Sequence, residues 1–513
     1  MISFCQHLFL LARHWWKCPL EFSRIGVTLV KNMSTEQLKK EAAANAKLPP
    51  VFSKGPSKGT YSPKLLDALR RLDQWIDWER RDRIVGTQRQ MRVNTGPIMD
   101  LLERLGNPHT RFQTVHITGS KGKGSVTSYV SAALFYGAGF STGWYSSPHV
   151  ERINERIGIN DSYIEDDELA FCLNQVLSVR EESVTAQSFG KDSTWFDLVT
   201  AAAFLAFARA KVEWAVVECG LGGKLDSTNV LKSKITVLTN VELEHAEIIG
   251  PTRKDIAREK AGIAYQGSVL ITGTNSKDEA GQVIDEIAQQ VGFRVIRPFE
   301  ELLQLENDSL PLFSIIEVQN RCIAKEVLKQ IGLIGYRSKI DSKVIDEKLL
   351  DRKDVWKGAK KRLPARMECF KLSNSLEVII DGAHVPSSVG LVMKEITHHP
   401  IWKHKRIDVI LGMGRDKHVE EILDELVPFV SHLYCTCVGH EGPYLGAEQL
   451  GEYAKQKSFQ SIRIHPHCVD TLHMAIELIE KENACEDSVL LVIGSLHLAG
   501  ALRPIVTSLA RQE

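Results

Sequence analysis

A glycine-rich stretch holds the residue types best suited to binding phosphate. The sequence Gly119-Ser-Lys-Gly-Lys-Gly-Ser125 follows an apolar, β-branched run at 114–118 and precedes a segment that predicts a helix, Ser128 to Phe135. In a strand, loop and helix of this kind, backbone N–H groups and the helix N-terminus cradle phosphate. Lys123 would lie along the β- and γ-phosphates, and a serine hydroxyl near the helix start can help to hold Mg²⁺. The stretch therefore predicts a nucleotide-phosphate site.

The stretch differs from the standard phosphate-binding loop in two respects. That loop has a glycine five residues before its Gly-Lys pair and a serine or threonine directly after the lysine. Here position 117 is isoleucine, and Gly124 separates Lys123 from Ser125. For this stretch alone, a glycine-rich turn that binds no nucleotide is an alternative interpretation.

A second apolar run, which predicts another strand, ends in an acidic residue. The predicted strand 213–218 finishes in Glu218 and leads into the glycine turn 220–223. A glutamate at the end of a buried parallel strand is costly unless it is paired or binds a cation. Mg²⁺ prefers hard oxygen ligands of this type. Glu218 is therefore a candidate metal ligand beside the phosphate loop.

Polar residues also follow other predicted strands. Ser147 and His149 come after the strand 140–145, and Glu244 and His245 come after the strand 234–239. Because an α/β sheet presents the loops at its carboxyl edge to ligand, these residues would share one site with the glycine loop. Taken singly, a histidine here is more often structural, and the run 154–160 is typical of a solvated charged loop.

The second half of the chain repeats the pattern of an apolar strand followed by polar residues. The sequence Val378-Ile-Ile-Asp381-Gly-Ala-His384 ends one predicted strand, and Arg366 precedes another strand. A planar guanidinium suits nucleotide phosphate or base. The clusters 412–417 and 494–497 also stand at strand ends and are uninformative alone.

Composition limits the classes of function. The 513 residues are 43% hydrophobic and 25% charged, which is ordinary for a globular protein, and the length suggests two or three domains. A net charge of zero gives no argument for nucleic acid. No apolar run reaches the roughly 18 residues needed to span a bilayer. The ten cysteines are scattered without zinc-type pairing, so we expect reduced thiols.

The first 32 residues differ from the rest. They hold four basic residues and a single acid, Glu21, among large apolar side chains. This composition resembles an organelle transit peptide. Met33 could serve as a second start, so we expect a cytoplasmic protein, a mitochondrial protein or both. A disordered extension without a function is the alternative for these 32 residues. The domain division takes residues 1–58 together as a transit-like or flexible N-terminal segment.

From residue 114 onward, predicted strands and helices alternate, which favours parallel sheets wrapped by helices. Two α/β domains, 59–367 and 368–513, are the simplest architecture, and the region 296–345 gives no clear pattern. The predicted strands are 114–118, 140–145, 213–218, 234–239, 268–272, 376–380, 406–411, 431–436, 461–464 and 488–493. Further predicted helices are 61–78, 95–105, 196–210, 252–264 and 278–291.

Taken together, these segments resemble the folylpolyglutamate synthase and dihydrofolate synthase family of the Mur ligase superfamily. The match runs from about Tyr61 to the C-terminus. The motifs that carry it are Gly119–Ser125, Ser147–His149 with Glu155–Ile157, Glu218–Gly223 with Asp226–Asn229, and Glu259–Ile263. The resemblance implies an α/β fold, in which a P-loop-type ATPase domain with a mostly parallel sheet precedes a smaller Rossmann-like α/β domain. The active site would lie in the cleft between the two domains.

The resemblance also implies roles by motif position. The residues that it places at ATP are Gly119, Ser120, Lys121, Gly122, Lys123, Gly124, Ser125, Asn320, Arg366, Asp381 and His384. Those that it places at Mg²⁺ are Ser147, Glu218 and His245. It gives catalytic roles to Lys123, His245 and Lys260, and substrate contacts to His149, Glu155, Arg156 and Asp226. Lys260 matches a lysine that family members carry carbamylated.

The activity implied is a Mg-ATP-dependent ligation of L-glutamate to a folate carboxylate. The partners would be small molecules, namely a folate or dihydropteroate and L-glutamate, and we expect a monomer that acts on both acceptors. Three positions differ from the family pattern: Glu244 replaces an aspartate, Val385 an asparagine, and Glu317 lies where a His-Gln pair is usual. A non-catalytic homologue that binds nucleotide or folate is the alternative. A P-loop kinase or transport ATPase would need the standard loop.

Overall fold

The computed structural model describes residues 61–74, 94–244, 248–299, 312–439 and 444–510. These residues belong to one compact unit that contains two separate β-sheets. No helix among them is long and apolar enough to cross a membrane. The predictions for residues 1–58 and for His245 lie outside the described residues.

The first sheet has eight strands in the order β4-β3-β2-β5-β1-β6-β7-β8, and β3 and β4 form its antiparallel edge. Its strands are β1 (Gln113–Thr118), β2 (Thr142–Tyr145), β3 (Ile157–Ile159), β4 (Ser162–Tyr163), β5 (Trp214–Glu218), β6 (Ile235–Leu238), β7 (Val269–Thr272) and β8 (Arg294–Ile296). Its helices are α1 (Pro63–Leu72), α2 (Gly96–Arg104), α3 (Lys123–Ala132), α4 (Asp166–Thr185), α5 (Trp195–Arg209), α6 (Arg253–Ala261), α7 (Glu279–Val291), α8 (Leu312–Leu333) and α9 (Lys353–Lys361).

The central strands β5 and β6 are buried along their whole length, and β1 is buried from Val115 onward, because helices cover both faces of the sheet. On one face, Tyr145 and Val217 pack into a cluster with α4 and α5. On the other face, Val115 and Ile117 pack against α3, α8 and α9. With both faces covered, the polar ends of the strands are the part of the sheet left to bind ligand.

The second sheet has six strands in the order β13-β12-β11-β14-β10-β9, and only β9 runs antiparallel. Its strands are β9 (Glu368–Lys371), β10 (Glu377–Ile380), β11 (Arg406–Leu411), β12 (Val430–Cys435), β13 (Ser461–Ile464) and β14 (Ser488–Ile493). Its helices are α10 (Pro386–His398), α11 (Val419–Leu426), α12 (Ala447–Lys455), α13 (Cys468–Lys481) and α14 (Leu496–Ala510). The predicted fold class, two α/β domains in series, is confirmed.

The predicted strands are all found, with ends that shift by two residues at most. The helix predicted at 128–135 is found, but it begins five residues earlier, at Lys123, and Gly122 caps it with a left-handed φ of 81°. The short antiparallel strands β3 and β4 were not predicted. The region 296–345, which gave no pattern, contains the 22-residue helix α8. Apolar residues on several sides of a buried helix obscure its periodicity.

Candidate active site

The glycine loop wraps around the end of β1 and is fastened to the end of β6. The backbone N–H of Lys121 donates to Asn240 Oδ1 at 2.8 Å, and Thr239 Oγ1 donates to the Lys121 carbonyl at 2.5 Å. A Cβ at Gly122 would lie 2.4 Å from Asn320 Oδ1, so the helix α8 closes directly on the loop. The loop is therefore preformed, and it delivers the N-terminus of α3 to the sheet edge.

Two lysines share the loop. Lys123 Nζ donates to the carbonyls of Gly119 and Ser120 at 2.9 and 3.3 Å. Lys260 Nζ, at the C-terminal end of α6, donates to the same Gly119 carbonyl at 2.9 Å and lies 3.9 Å from Glu244 Oε1. Burial, assisted by the charge of Lys123, lowers the pKa of Lys260 to about 8 from its ordinary 10.5.

A small cavity separates the two lysines from the turn that follows β5. Its lining residues come from the end of β1, the glycine loop, that turn, the two lysines and the segment after β6: Thr118, Gly119, Lys123, Cys219, Gly220, Leu221, Gly222, Glu244 and Lys260. Two ammonium groups at one cavity are unfavourable unless an anion offsets them, and the Glu244 carboxylate is such an anion beside Lys260. Lys123, on the glycine loop, is the cation of this cavity that suits phosphate.

Glu218, at the end of β5, is close enough to Lys123 to feel its charge. The residue is only 3% exposed, and its Oε2 accepts the Ser147 N–H at 3.4 Å. Burial raises the pKa of Glu218 to about 7, and the charges of Lys123 and Arg366 oppose that shift only in part. The carboxylate is therefore an under-compensated buried acid, which a cation would stabilise.

The residues present fit a Mg²⁺ ion. No three His, Cys, Asp or Glu side chains of the described part of the chain are grouped into a metal site. Mg²⁺ does not need such a group, because it keeps several waters and binds through one or two carboxylates plus substrate phosphates. Glu218 supplies a carboxylate, and Ser147 begins the neighbouring loop. His245, the third predicted ligand, lies outside the described residues.

The predicted substrate residues hold loops in place. His149 Nδ1 accepts from Arg156 Nε at 2.8 Å, and the Arg156 guanidinium lies over the Trp195 ring. Glu155 accepts the backbone N–H groups of Val150, Glu151 and Arg152 at 2.7 to 3.0 Å.

Asp226 orders the turn after β5 in the same way. It accepts the Leu221 and Thr228 N–H groups, each at 2.9 Å. Substrate contacts for His149, Glu155, Arg156 and Asp226 stay predictions.

The second domain faces the loop with further cationic groups. Asp381 accepts the N–H groups of Met367 and Ala383, each at 2.8 Å. This places Arg366 next to the Asp381-Gly-Ala-His384 turn, where a Cβ at Gly382 would lie 3.1 Å from its Nη1. Arg366 therefore packs with the second domain, although the predicted boundary follows it at residue 367. Burial lowers the pKa of His384 to about 4, and the charges of Lys417, Lys121 and Arg366 act in the same direction. The imidazole is therefore neutral at pH 7 and stands among cations from both domains.

Comparison with known proteins agrees with this geometry. The chain matches the Mur ligase middle domain over residues 117–301 and the glutamate ligase domain of Mur ligases over residues 365–496. The folylpolyglutamate synthase of Lacticaseibacillus casei is 30% identical over 425 residues, which are 79% of this chain and 92% of that protein. The chain belongs to the folylpolyglutamate synthase family.

Solved structures of folylpolyglutamate synthases share the fold. The Thermotoga maritima folylpolyglutamate synthase has a TM-score of 0.68 at 26% identity, over 86% of this chain and 97% of that one. The bifunctional folylpolyglutamate synthase/dihydrofolate synthase of Yersinia pestis, complexed with AMPPNP and Mn ion, has a TM-score of 0.64 at 23% identity. That match covers 88% of this chain and all of the Yersinia chain.

Sequence reasoning missed the residues that fasten the loop. Thr239 and Asn240 follow β6 directly, and Lys121 forms an ion pair with Glu244, 3.2 Å apart. Their position directly after a strand could have identified Thr239 and Asn240, because the same criterion identified Glu218. Polar residues that follow a strand can anchor a neighbouring loop as well as bind a ligand.

Glu218→Gln should make the ligand-free protein more stable above neutral pH. The carboxyl has a folded pKa of about 7 against an ordinary 4.5, so the folded state keeps a proton that the unfolded state releases between these values. The wild-type protein therefore loses unfolding free energy as the pH rises from about 4.5 to about 7, and above pH 7 it keeps the whole loss. The variant should gain on the order of 3 kcal/mol near pH 8 and little near pH 4.5. Urea unfolding at both pH values measures this, and a pH-independent difference would contradict it.

Proposed function

We infer that the protein is an ATP-dependent ligase that joins L-glutamate to a folate carboxylate, forming ADP and phosphate. The observation that carries the proposal is the convergence of Lys123, Lys260 and Glu218 on one phosphate loop, opposite Arg366 and His384 of the second domain. The family membership and the AMPPNP and Mn ion bound to the Yersinia relative support the same assignment. A kinase would not need the second domain to face the loop.

The chemistry explains why a phosphate site is needed. A carboxylate is a poor acyl donor, so its oxygen attacks the γ-phosphorus of ATP, ADP leaves, and an acyl phosphate forms. The glutamate amine then attacks the acyl carbon, loses a proton, and phosphate leaves with the C–O electron pair. Lys123 and the N–H groups of the loop would stabilise the charge on the transferring phosphoryl group. Mg²⁺, held by Glu218 and Ser147, would neutralise phosphate charge.

The acyl phosphate must be protected from water. The second domain brings Arg366 and His384 to the loop, and its packing against the first domain would exclude solvent during the reaction. A neutral His384 can accept a hydrogen bond from the attacking amine, whereas an imidazolium could not. The burial and the surrounding cations that lower its pKa therefore suit this position.

Lys123→Ala should reduce kcat/KM for ligation by about 100- to 1000-fold, the cost typical of a lost charge-stabilising donor. The fold should persist, because the ammonium contacts loop carbonyls rather than the core. Ligation of labelled glutamate to dihydropteroate and to tetrahydrofolate measures the effect, and wild type should use both acceptors. Lys353→Ala, which removes an exposed lysine of α9, is the control. Wild-type protein that binds ATP without ligating would support the non-catalytic alternative.

Lys260 should carry a carbamate when CO₂ is present. A neutral amine attacks CO₂ and releases a proton, and a pKa of about 8 leaves a usable neutral fraction at physiological pH. The anionic product suits a site crowded with cations, unlike the ammonium it replaces. Protein equilibrated with ¹³C-bicarbonate should show a carbamate carbon resonance that Lys260→Ala lacks. A spectrum identical in both proteins would refute the modification. Short carboxylic acids should partly restore the activity of Lys260→Ala.

A further inference from the structure

The loop that follows β2 belongs to the first sheet, yet part of it is buried in the second domain. Val150 is 3% exposed and packs in the apolar cluster formed by β10, β14, α13 and α14. A Cβ at Gly500 of α14 would lie 2.2 Å from the Val150 carbonyl oxygen, so helix and loop backbones touch. We call residues 147–152 the docking loop.

An ion pair fixes the same contact. Arg503 Nη1 of α14 donates to Glu151 Oε1 at 2.5 Å, while its Nε and Nη2 donate to both oxygens of Glu368 at 2.7 Å. The three side chains are only 19 to 25% exposed. A planar guanidinium can hold one carboxylate with two parallel hydrogen bonds and still donate to a second. Arg503 therefore joins the docking loop to β9 of the second domain.

The docking loop is stiff, so a displacement at one end reaches the other. Glu155 accepts three consecutive N–H groups of the loop, from Val150 to Arg152. The Ile153 N–H donates to Tyr61 Oη at 3.0 Å, and Arg156 Nε donates to His149 at 2.8 Å. The loop begins at Ser147, whose N–H donates to Glu218. Only two residues, Pro148 and His149, separate Ser147 from Val150.

We propose that Arg503 and Glu151 are positioning residues that couple the placement of the second domain to the metal site, by setting Ser147 against Glu218. The inference rests on the proposed function, because it treats Ser147 and Glu218 as metal ligands. The consequence is that the metal–nucleotide site is completed only when the second domain is docked. Premature phosphoryl transfer in an undocked protein is thereby disfavoured.

The test uses the full chain and Mn²⁺ as the probe, titrated by electron paramagnetic resonance in the presence of AMPPNP. Glu151→Gln removes the cross-domain charge but keeps the Arg503–Glu368 pair, so the second domain stays intact. Gly500→Ala forces the Val150 carbonyl away from α14 without touching any charge. Each variant should weaken Mn²⁺ binding by roughly threefold to tenfold, the range expected for coupled neighbours.

Glu377→Gln is the matched control. Glu377 pairs with Lys405 at 2.9 Å in the second domain with similar exposure, 17 to 18%, and lies at the opposite end of β10 from Asp381. Its Mn²⁺ affinity should stay within about twofold of wild type.

If Glu151→Gln and Gly500→Ala bind Mn²⁺ as tightly as wild type, or if Glu377→Gln loses as much Mn²⁺ affinity as they do, the proposed coupling is wrong. The proposed function would still stand. Absence of Mn²⁺–AMPPNP binding in wild type would overturn the proposed function as well. If Gly500→Ala does not fold, the comparison of Glu151→Gln with Glu377→Gln decides.

Discussion

Buried charge at the carboxyl edge of the first sheet is the constraint on which the rest of the site depends. Glu218 and Lys260 are each nearly inaccessible to water. Burial raises the pKa of Glu218 and lowers the pKa of Lys260, so both shifts favour the neutral side chain, because neighbouring charges offset the burial only in part. Such residues reduce stability in the absence of ligand. Their cost is understandable if a divalent cation and phosphate supply the missing charges. The glycine loop, held to Thr239 and Asn240, fixes where those ligands must lie.

The second domain contributes residues to the site and also packs around a loop of the first domain. It contributes Arg366 and His384 to the cleft, and it accepts Val150 of the first domain into its own core. The two α/β units are therefore joined at the loop that begins with a predicted metal ligand. This arrangement links domain placement to the chemistry, which a reaction through a water-sensitive acyl phosphate requires.

Much of this could be predicted from sequence, because the determining signals are local. β-Branched runs that end in glycine and polar residues located most strands of both sheets, marked the loop that contains Lys123, and placed Glu218 and Asp381 at strand ends. The contacts that could not be predicted join distant positions. Asn320 contacts Gly122 from α8, a helix that the sequence pattern did not predict. Arg503 donates to Glu151, which lies 352 positions earlier in the chain. Such pairs depend on how whole helices dock, which periodicity does not encode.

The central claim is that the buried charges are completed by metal and nucleotide together. Thermal unfolding of wild type and Glu218→Gln, each with Mg²⁺, with AMPPNP and with both, tests it most directly. The account predicts that wild type gains far more stability from the pair than from the separate ligands combined, because binding to the folded state raises the unfolding free energy. The variant should lose that excess while keeping a response to nucleotide. Equal excess stabilisation in both proteins would contradict the account.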